Sequence, residues 1–402
     1  MYILNQQRGL LFATLTVVAL VAFLTCCVTI TDAAPQQGTL SSPLVESSSG
    51  VLFATIPANG AFGHGSIYRI TSAGSFTLVY NFGSGGSATN GYNPQNLMLG
   101  PDGNFYGITS SGGDPTLSCG TVFEYTGTLS TLHRFGSGEG CHPSGGLFFG
   151  FGQGGLRTLY GTTGIIGGHG TIYTLDSFGT LTTLHTFGAP GDGDAPNSPL
   201  TVIDSTTGDL IGSTLQGGSS GYGTLYEVQF HQLSGPTEAV VFSFSGSTHL
   251  MNQTPIGPLA SGSDVVYGNI PGFGPSTNGS LYSFTFSNNF TTLASITAGT
   301  NQSGACSGAS MGNDGNVYGA TCSAGANGFG YVYKYNPTMR QFSVVHSFTA
   351  AEGKEGITPP TLGTDGNLYG TTFQGGQFGY GTIYKMSPSG IVTVLHSFTA
   401  SD

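Results

Sequence analysis

The stretch Asp365–Phe398, DGNLYGTTFQGGQFGYGTIYKMSPSGIVTVLHSF, decides how the rest of the chain is read. Three runs rich in Tyr, Thr, Val and Ile (LYGTT, GTIYKM, IVTVLHSF) are separated by clusters of Gly, Pro, Ser and Asn. β-branched and aromatic residues favour strands and the intervening residues favour turns, so the stretch predicts strand, turn, strand, turn, strand. In the last run the period-2 rule puts Val392, Val394, His396 and Phe398 on one face and Leu395 on the other. Neither face is purely polar, which predicts a small sheet covered on both sides.

Six looser copies precede this one. The residue at the Tyr369 position recurs as Phe53, Tyr106, Tyr160, Ile211, Tyr267 and Tyr318, at spacings of 53, 54, 51, 56, 51 and 51. The second run repeats as GSIYRI, GTVFEY, GTIYTL, GTLYEV, GSLYSF, GYVYKY and GTIYKM, and the third as TLVYNF, TLHRF, TLHTF, VVFSF, TLASI, VVHSF and VLHSF. A weaker fourth run lies before each Asp-Gly turn, as at Pro43-Leu44-Val45 and Pro360-Thr361-Leu362. Four short strands per unit, here a to d in chain order, make a meander, and a period near fifty is the mark of a propeller or solenoid. Seven two-faced sheets are best satisfied by radial packing, so the expected fold is an all-β seven-bladed β-propeller, with repeats near 43–82, 94–135, 143–187, 199–244, 255–296, 308–348 and 359–398 within residues 35–402. A linear β-solenoid is the alternative, but its rungs are shorter and it needs capping segments.

Composition agrees. Of 402 residues 69 are Gly, 7% are charged and none is Trp, which implies many turns and few helices. The 19 Tyr, 27 Phe and 38% hydrophobic fraction supply enough apolar surface for a folded chain. Residues Gly9 to Ile30 are apolar and uncharged, with Arg8 before them and Thr31-Asp32-Ala33-Ala34-Pro35 after. The small residues before Pro35 predict a signal peptide spanning 1–34 and cut near Ala33 or Ala34; an uncleaved N-terminal membrane anchor is the alternative. Cys26 and Cys27 lack the small preceding residue that lipoprotein cleavage wants. Either way the bulk of the protein is expected outside the cytoplasm, secreted or at the cell surface. Removing Arg8 and Asp32 from 8 basic and 19 acidic residues leaves 7 and 18, so the charge stays at −11 and nucleic acid is excluded as a partner. Four cysteines remain, Cys119, Cys141, Cys306 and Cys322, enough for two disulfides with three possible pairings. Four N-x-S/T sequons (Asn252, Asn278, Asn289, Asn301) matter only in a eukaryotic source.

The LYGTT, GG, GTIY and TVLHSF blocks with the Ser387-Pro388-Ser389-Gly390 turn resemble the GloVer-type repeat of choice-of-anchor tandem-repeat proteins, a family of exported bacterial proteins. The resemblance covers roughly residues 43 to 398. It implies a propeller-like secreted or cell-surface protein and transfers no catalytic residues. Members often end in a sorting or anchoring segment, and the sequence to Asp402 contains none.

In a meandering blade the a–b and c–d turns lie on one face of the ring, and the b–c loops and d–a connections on the other. The first face carries Asp102-Gly103-Asn104, Asp314-Gly315-Asn316 and Asp365-Gly366-Asn367, which are hairpin turns rather than calcium loops because no further carboxylates follow. On the second face Cys119 and Cys141 belong to blade 2 and Cys306 and Cys322 to the same loop classes at blade 6, which favours Cys119–Cys141 and Cys306–Cys322 as structural staples. A column of His133, His185, His346 and His396 alternates with Tyr80 and Phe242, so it is expected to be a ring-packing position rather than a metal site. A second column, between the glycines that open strand c, reads His64, Cys119, His169, Tyr222, Asn278, Phe329 and Tyr380. Its residues either plug the gaps between blades or, at His64, His169, Tyr222, Phe329 and Tyr380, stack against a sugar or peptide. The d–a connections carry Glu139, Asp192 with Asp194, and Glu352 with Glu355, expected to form a solvated acidic rim. Ca2+ is the one cofactor this rim suggests, at Asp192-Gly193-Asp194 with Asn197, which lacks the rest of a calcium loop.

Without Trp the chain is neither a tryptophan-docked nor a Trp-Asp propeller, and it has no nucleophile elbow, Walker loop or His-Glu-x-x-His. Two function classes remain. One is a monomeric, non-catalytic exported propeller that binds a glycan or a surface or matrix protein through its variable face, touching membrane only through an uncleaved N-terminal segment. The other is a polysaccharide lyase or hydrolase using the acidic rim. So few charged residues favour binding, since catalysis needs titratable groups gathered in a cleft.

Overall fold

The computed structural model describes residues 42–402 apart from 59, 84–87, 152–156, 165–167, 205–206, 232–234, 246–255, 263, 272–277, 288, 297–303 and 401. All described residues belong to one compact unit, residues 37–402. The predicted signal peptide or anchor and the sequons Asn252 and Asn301 lie outside the described residues.

The fold is a seven-bladed β-propeller, as the repeat predicts. Blade 7 has strands Thr361–Leu362, Leu368–Thr372, Thr382–Met386 and Val392–Ser397, paired in that order and antiparallel. The other blades run from 45–81, 92–134, 143–186, 193–243, 256–296 and 310–347. Blade 4 departs from the pattern: its strand a is split into Gly193–Pro196 and Thr201–Val202, both pairing with Leu210–Gly217. Asp192-Gly193-Asp194, read from sequence as loop, therefore enters a strand.

Strand a is innermost. Asn96 Nδ2 donates to Gly145 O (2.7 Å), Ser144 Oγ to Pro196 O (2.9 Å), Thr201 Oγ1 to Leu259 O (3.3 Å) and Ser310 Oγ to Pro360 O (2.6 Å). Thr361 Oγ1 closes the ring onto Leu44 O at 2.8 Å. Leu52, Tyr68 and Ile70 of blade 1 share a buried cluster with Tyr369, Ile383 and Phe398 of blade 7. An open solenoid is thereby ruled out.

The repeated letters have packing reasons. The glycine of LYGTT faces an aromatic residue of strand c, as in the pairs Gly107–Phe123, Gly161–Tyr173 and Gly370–Tyr384. A Cβ there would collide with the ring, so the glycine makes room for a fully buried side chain. The second Thr of GTT binds the Thr that opens strand c, Thr372 to Thr382 at 3.0 Å and Thr109 to Thr121 at 2.8 Å, which satisfies buried hydroxyls in pairs.

One expectation is corrected. Every strand d carries a β-bulge against strand c; in blade 7 Tyr384 pairs with Val394 but Ile383 with His396, so Leu395 is the extra residue. An extra residue reverses which face follows. Val392 thus packs with Tyr384 and Met386 towards blade 6, while Leu395 and Phe398 pack towards blade 1. The four residues assigned to one face are divided between two.

Candidate functional site

Five residues of the second column, His64, Cys119, His169, Tyr222 and Phe329, are engaged at the seams between blades. His64 stacks on Tyr92 of the next blade at 3.9 Å, Cys119 is bonded to Cys141, His169 Nδ1 donates to Asp194 Oδ2 at 3.1 Å, and Lys354 Nζ sits 4.6 Å above the Phe329 ring. The carbonyls of His64, Cys119, His169 and Phe329 also accept backbone N–H bonds from Asn93, His142, Ala195 and Glu355. Tyr222 packs at the blade 4 and 5 seam, and Tyr380 is 38% exposed. The second disulfide, Cys306–Cys322, also forms.

The histidine column does more than pack. Each ring meets the Phe two residues on edge-to-face, as His133 does Phe135 and His396 does Phe398. Each Nε2 also donates to a carboxylate in the following connection: His133 to Glu139 (3.0 Å), His185 to Asp192 (2.9 Å), His346 to Glu352 (3.0 Å) and His396 to Asp402 (3.1 Å). All four carboxylates accept a backbone amide as well, from Gly136, Gly193, Thr349 and Thr399. The expected solvated rim is corrected accordingly: Glu139, Asp192, Asp194 and Glu352 are loop-closing partners of histidines. The Glu352 carboxyl, which burial alone would raise, is held below its ordinary range by His346 and the Thr349 amide and hydroxyl.

At the seam of blades 3 and 4 the pattern gains a member. His185 Nε2 lies 3.6 Å from Glu238 Oε2 as well as 2.9 Å from Asp192 Oδ2. Burial, reinforced by Asp192 and opposed by His185, pushes the Glu238 carboxyl up to about 7.

A further feature that sequence reasoning missed is a hollow of about 650 Å³ at the centre of the variable face. Strand a and the ends of strand b line it, through Asn93, Gln95, Asn96, His142, Asn197 and Thr358 among others. No Asp, Glu, Lys or Arg is among its described lining residues. His142 Nδ1 donates to Ser110 O at 2.6 Å, which leaves Nε2 as the acceptor. Asn93, His142 and Ala195 hold left-handed backbone (φ 53°, 55° and 61°) at equivalent places on this mouth, a conformation that costs a non-glycine residue about 1 kcal/mol. None of His64, His169, Tyr222, Phe329 or Tyr380 lines the hollow. A signal for the mouth was present as prolines opening strand a, at Pro43, Pro94, Pro143, Pro196 and Pro359.

The sequence matches the family described as Gloeobacter/Verrucomicrobia repeat over residues 5–206 and again over 202–402. No curated protein matches it. Among solved structures it is similar to a puromycin-hydrolyzing peptidase of Mycobacterium tuberculosis (TM-score 0.55, 9% identity, 90% of this chain and 54% of that one). It is similar also to the extracellular domain of a B. thetaiotaomicron protein (0.52, 11%, 91% and 39%) and to an oligogalacturonate lyase of Vibrio parahaemolyticus (0.51, 11%, 87% and 89%). The chain thus spans 54% and 39% of the first two, and at these identities the likeness is one of fold.

Proposed function

The chain belongs to the Gloeobacter/Verrucomicrobia repeat family, and from that premise we propose that it is an exported, non-catalytic propeller that binds an uncharged glycan at the mouth of its central channel. The observation that carries this reading is the chemistry of the mouth: amides, hydroxyls and one imidazole of fixed tautomer, without a charged side chain among the described lining residues. Such groups exchange hydrogen bonds with sugar hydroxyls, and a concave site with a few placed polar groups is where a small ligand is expected. Strain supports it too, since non-glycine residues held left-handed persist where a site needs them. Tyr380 and Phe378, 38% and 50% exposed in a b–c loop, offer flat apolar surface on the same face. The two disulfides support export.

The enzyme reading is weaker on the same grounds. Lyase or hydrolase chemistry needs an acid and a base facing one substrate, and Glu139, Asp192, Asp194 and Glu352 are each engaged by a histidine. A glycan array probed with the full chain tests the proposal. Retention on neutral polysaccharide is expected, lost at least tenfold in Asn93→Gly/Gln95→Ala, where glycine keeps the left-handed backbone at 93 and the melting temperature is little changed. Retention confined to charged polymers, or unchanged in that variant, would sink it.

A further inference from the structure

The alignment of the seven d strands isolates one residue. Four positions before each ring of the histidine column stand Phe76, Leu129, Leu181, Glu238, Phe290, Phe342 and Val392. Because of the bulge this residue faces the preceding blade while the ring faces the following one, so the two meet across the seam. Phe76 stacks on His396 at 4.0 Å and Phe290 on Phe242 at 4.7 Å. Six blades fill the seat with an apolar side chain, so the fold has no need of an acid there. At blades 3 and 4 the seat holds Glu238, whose side chain is 7% exposed and turned to His185. Its Oε1 is buried and has no hydrogen-bond partner. A carboxylate removed from water and left half satisfied is costly, and the surroundings supply the kind of groups that a cation would join.

We propose that His185 Nε2, Asp192 Oδ2 and a Glu238 carboxylate oxygen form a three-ligand site for a divalent transition-metal ion, Zn2+ or Mn2+. The three donor atoms lie within 4.8 Å of one another. The separations from Nε2, 2.9 Å to Asp192 and 3.6 Å to Glu238, bracket the edge of about 3.3 Å expected between ligands of a tetrahedral ion bound at 2.0–2.1 Å. One imidazole with two carboxylates suits Zn2+ and Mn2+ better than the thiolate-seeking metals. His185, 24% exposed, leaves a side open for a water as fourth ligand. Blades 2, 6 and 7 have the His–carboxylate pair but an apolar third seat, and so have no such site.

The test uses the untagged full chain and Zn2+ or Mn2+ alone in titration calorimetry. One equivalent bound per chain, with a rise in melting temperature, is expected from a site present only in the folded state. Glu238→Leu copies the seat of blades 2 and 3 and should fold with an equal or higher melting temperature while losing at least tenfold in affinity. His346→Phe, at a seam without the acid, should leave binding unchanged. A wild type that takes up neither ion overturns the proposal, as does a Glu238→Leu chain that binds as tightly as wild type.

Discussion

Asp365 accepts from the Asn367 amide (3.0 Å) and side chain (2.9 Å), the Tyr369 hydroxyl (2.8 Å) and the Lys385 ammonium (2.9 Å). Asp314 repeats the first three contacts, and Asp102 repeats the backbone and Tyr contacts through Asn104 and Tyr106. The Asp-Gly-Asn-x-Tyr string is therefore one unit, a hairpin turn whose opening carboxylate is held by the next strand. Burial alone would raise the Asp365 carboxyl, but Lys385, Asn367 and Tyr369 outweigh it and hold it well below the usual range. A depressed folded pKa adds stability that is present above the unfolded value and is lost as pH falls towards the folded one. Asp365→Asn keeps the acceptor for the turn and removes the ion pair. At pH 6 it should cost on the order of 1 kcal/mol or less, since the pair is exposed and screened. The gap from wild type should close as pH is lowered from 4 towards 2 in thermal melts. A gap that is undiminished at pH 2 would assign the loss to the turn instead.

In the blade, strands b and c are locked by a ring seated over a glycine. Gly370→Val should lower stability by about 1–3 kcal/mol, read from the urea midpoint, because the Tyr384 ring has no free space to retreat into. Gly370→Ala should cost less, since blade 1 already accommodates Ala54 opposite Tyr68. Equal midpoints for the Val variant and wild type would mean the ring is not wedged. This layer was legible in the sequence because the period near fifty, the Tyr369 column and the GTIY run are local patterns that survive divergence. The seam was less so. Period-2 reasoning assumes an unbroken ladder, and the bulge at Leu395 reverses the faces that follow it, so the contact of Phe76 with His396 could not be foreseen. Glu238 is an acid in an otherwise apolar column that only the bulge brings to notice, and its meaning depends on a neighbour 53 residues earlier, His185. The mouth escaped for a similar reason: Asn93, His142 and Asn197 come from three connections that only ring closure assembles.

Across the whole molecule, the seam of blades 7 and 1 differs in kind from the others. The first described strand, Val45–Glu46, pairs within blade 1, and the last, Val392–Ser397, pairs within blade 7, so among the described residues no strand ladder bridges the two. Successive blades elsewhere are covalently joined. Here closure rests on packing of Phe398 against Tyr68 and Phe76 (ring centroids 6.3 and 5.9 Å), on Thr361 to Leu44 O, and on Glu46, which accepts from the Thr364 amide and hydroxyl at 2.8 Å each. Phe348 and Phe398 occupy the same column position and are both fully buried. Truncating either leaves a cavity worth about 3–5 kcal/mol. At Phe348 the covalent connection keeps blades 6 and 7 near each other while the core gives way, whereas at Phe398 the same cavity opens the one seam where the blades can part. Phe398→Ala should therefore lower the melting temperature more than Phe348→Ala. It should also speed amide exchange first in strands Leu52–Ile56 and Thr382–Met386. Equal losses with uniform exchange would mean the ring opens no more readily at this seam than at its covalently joined ones.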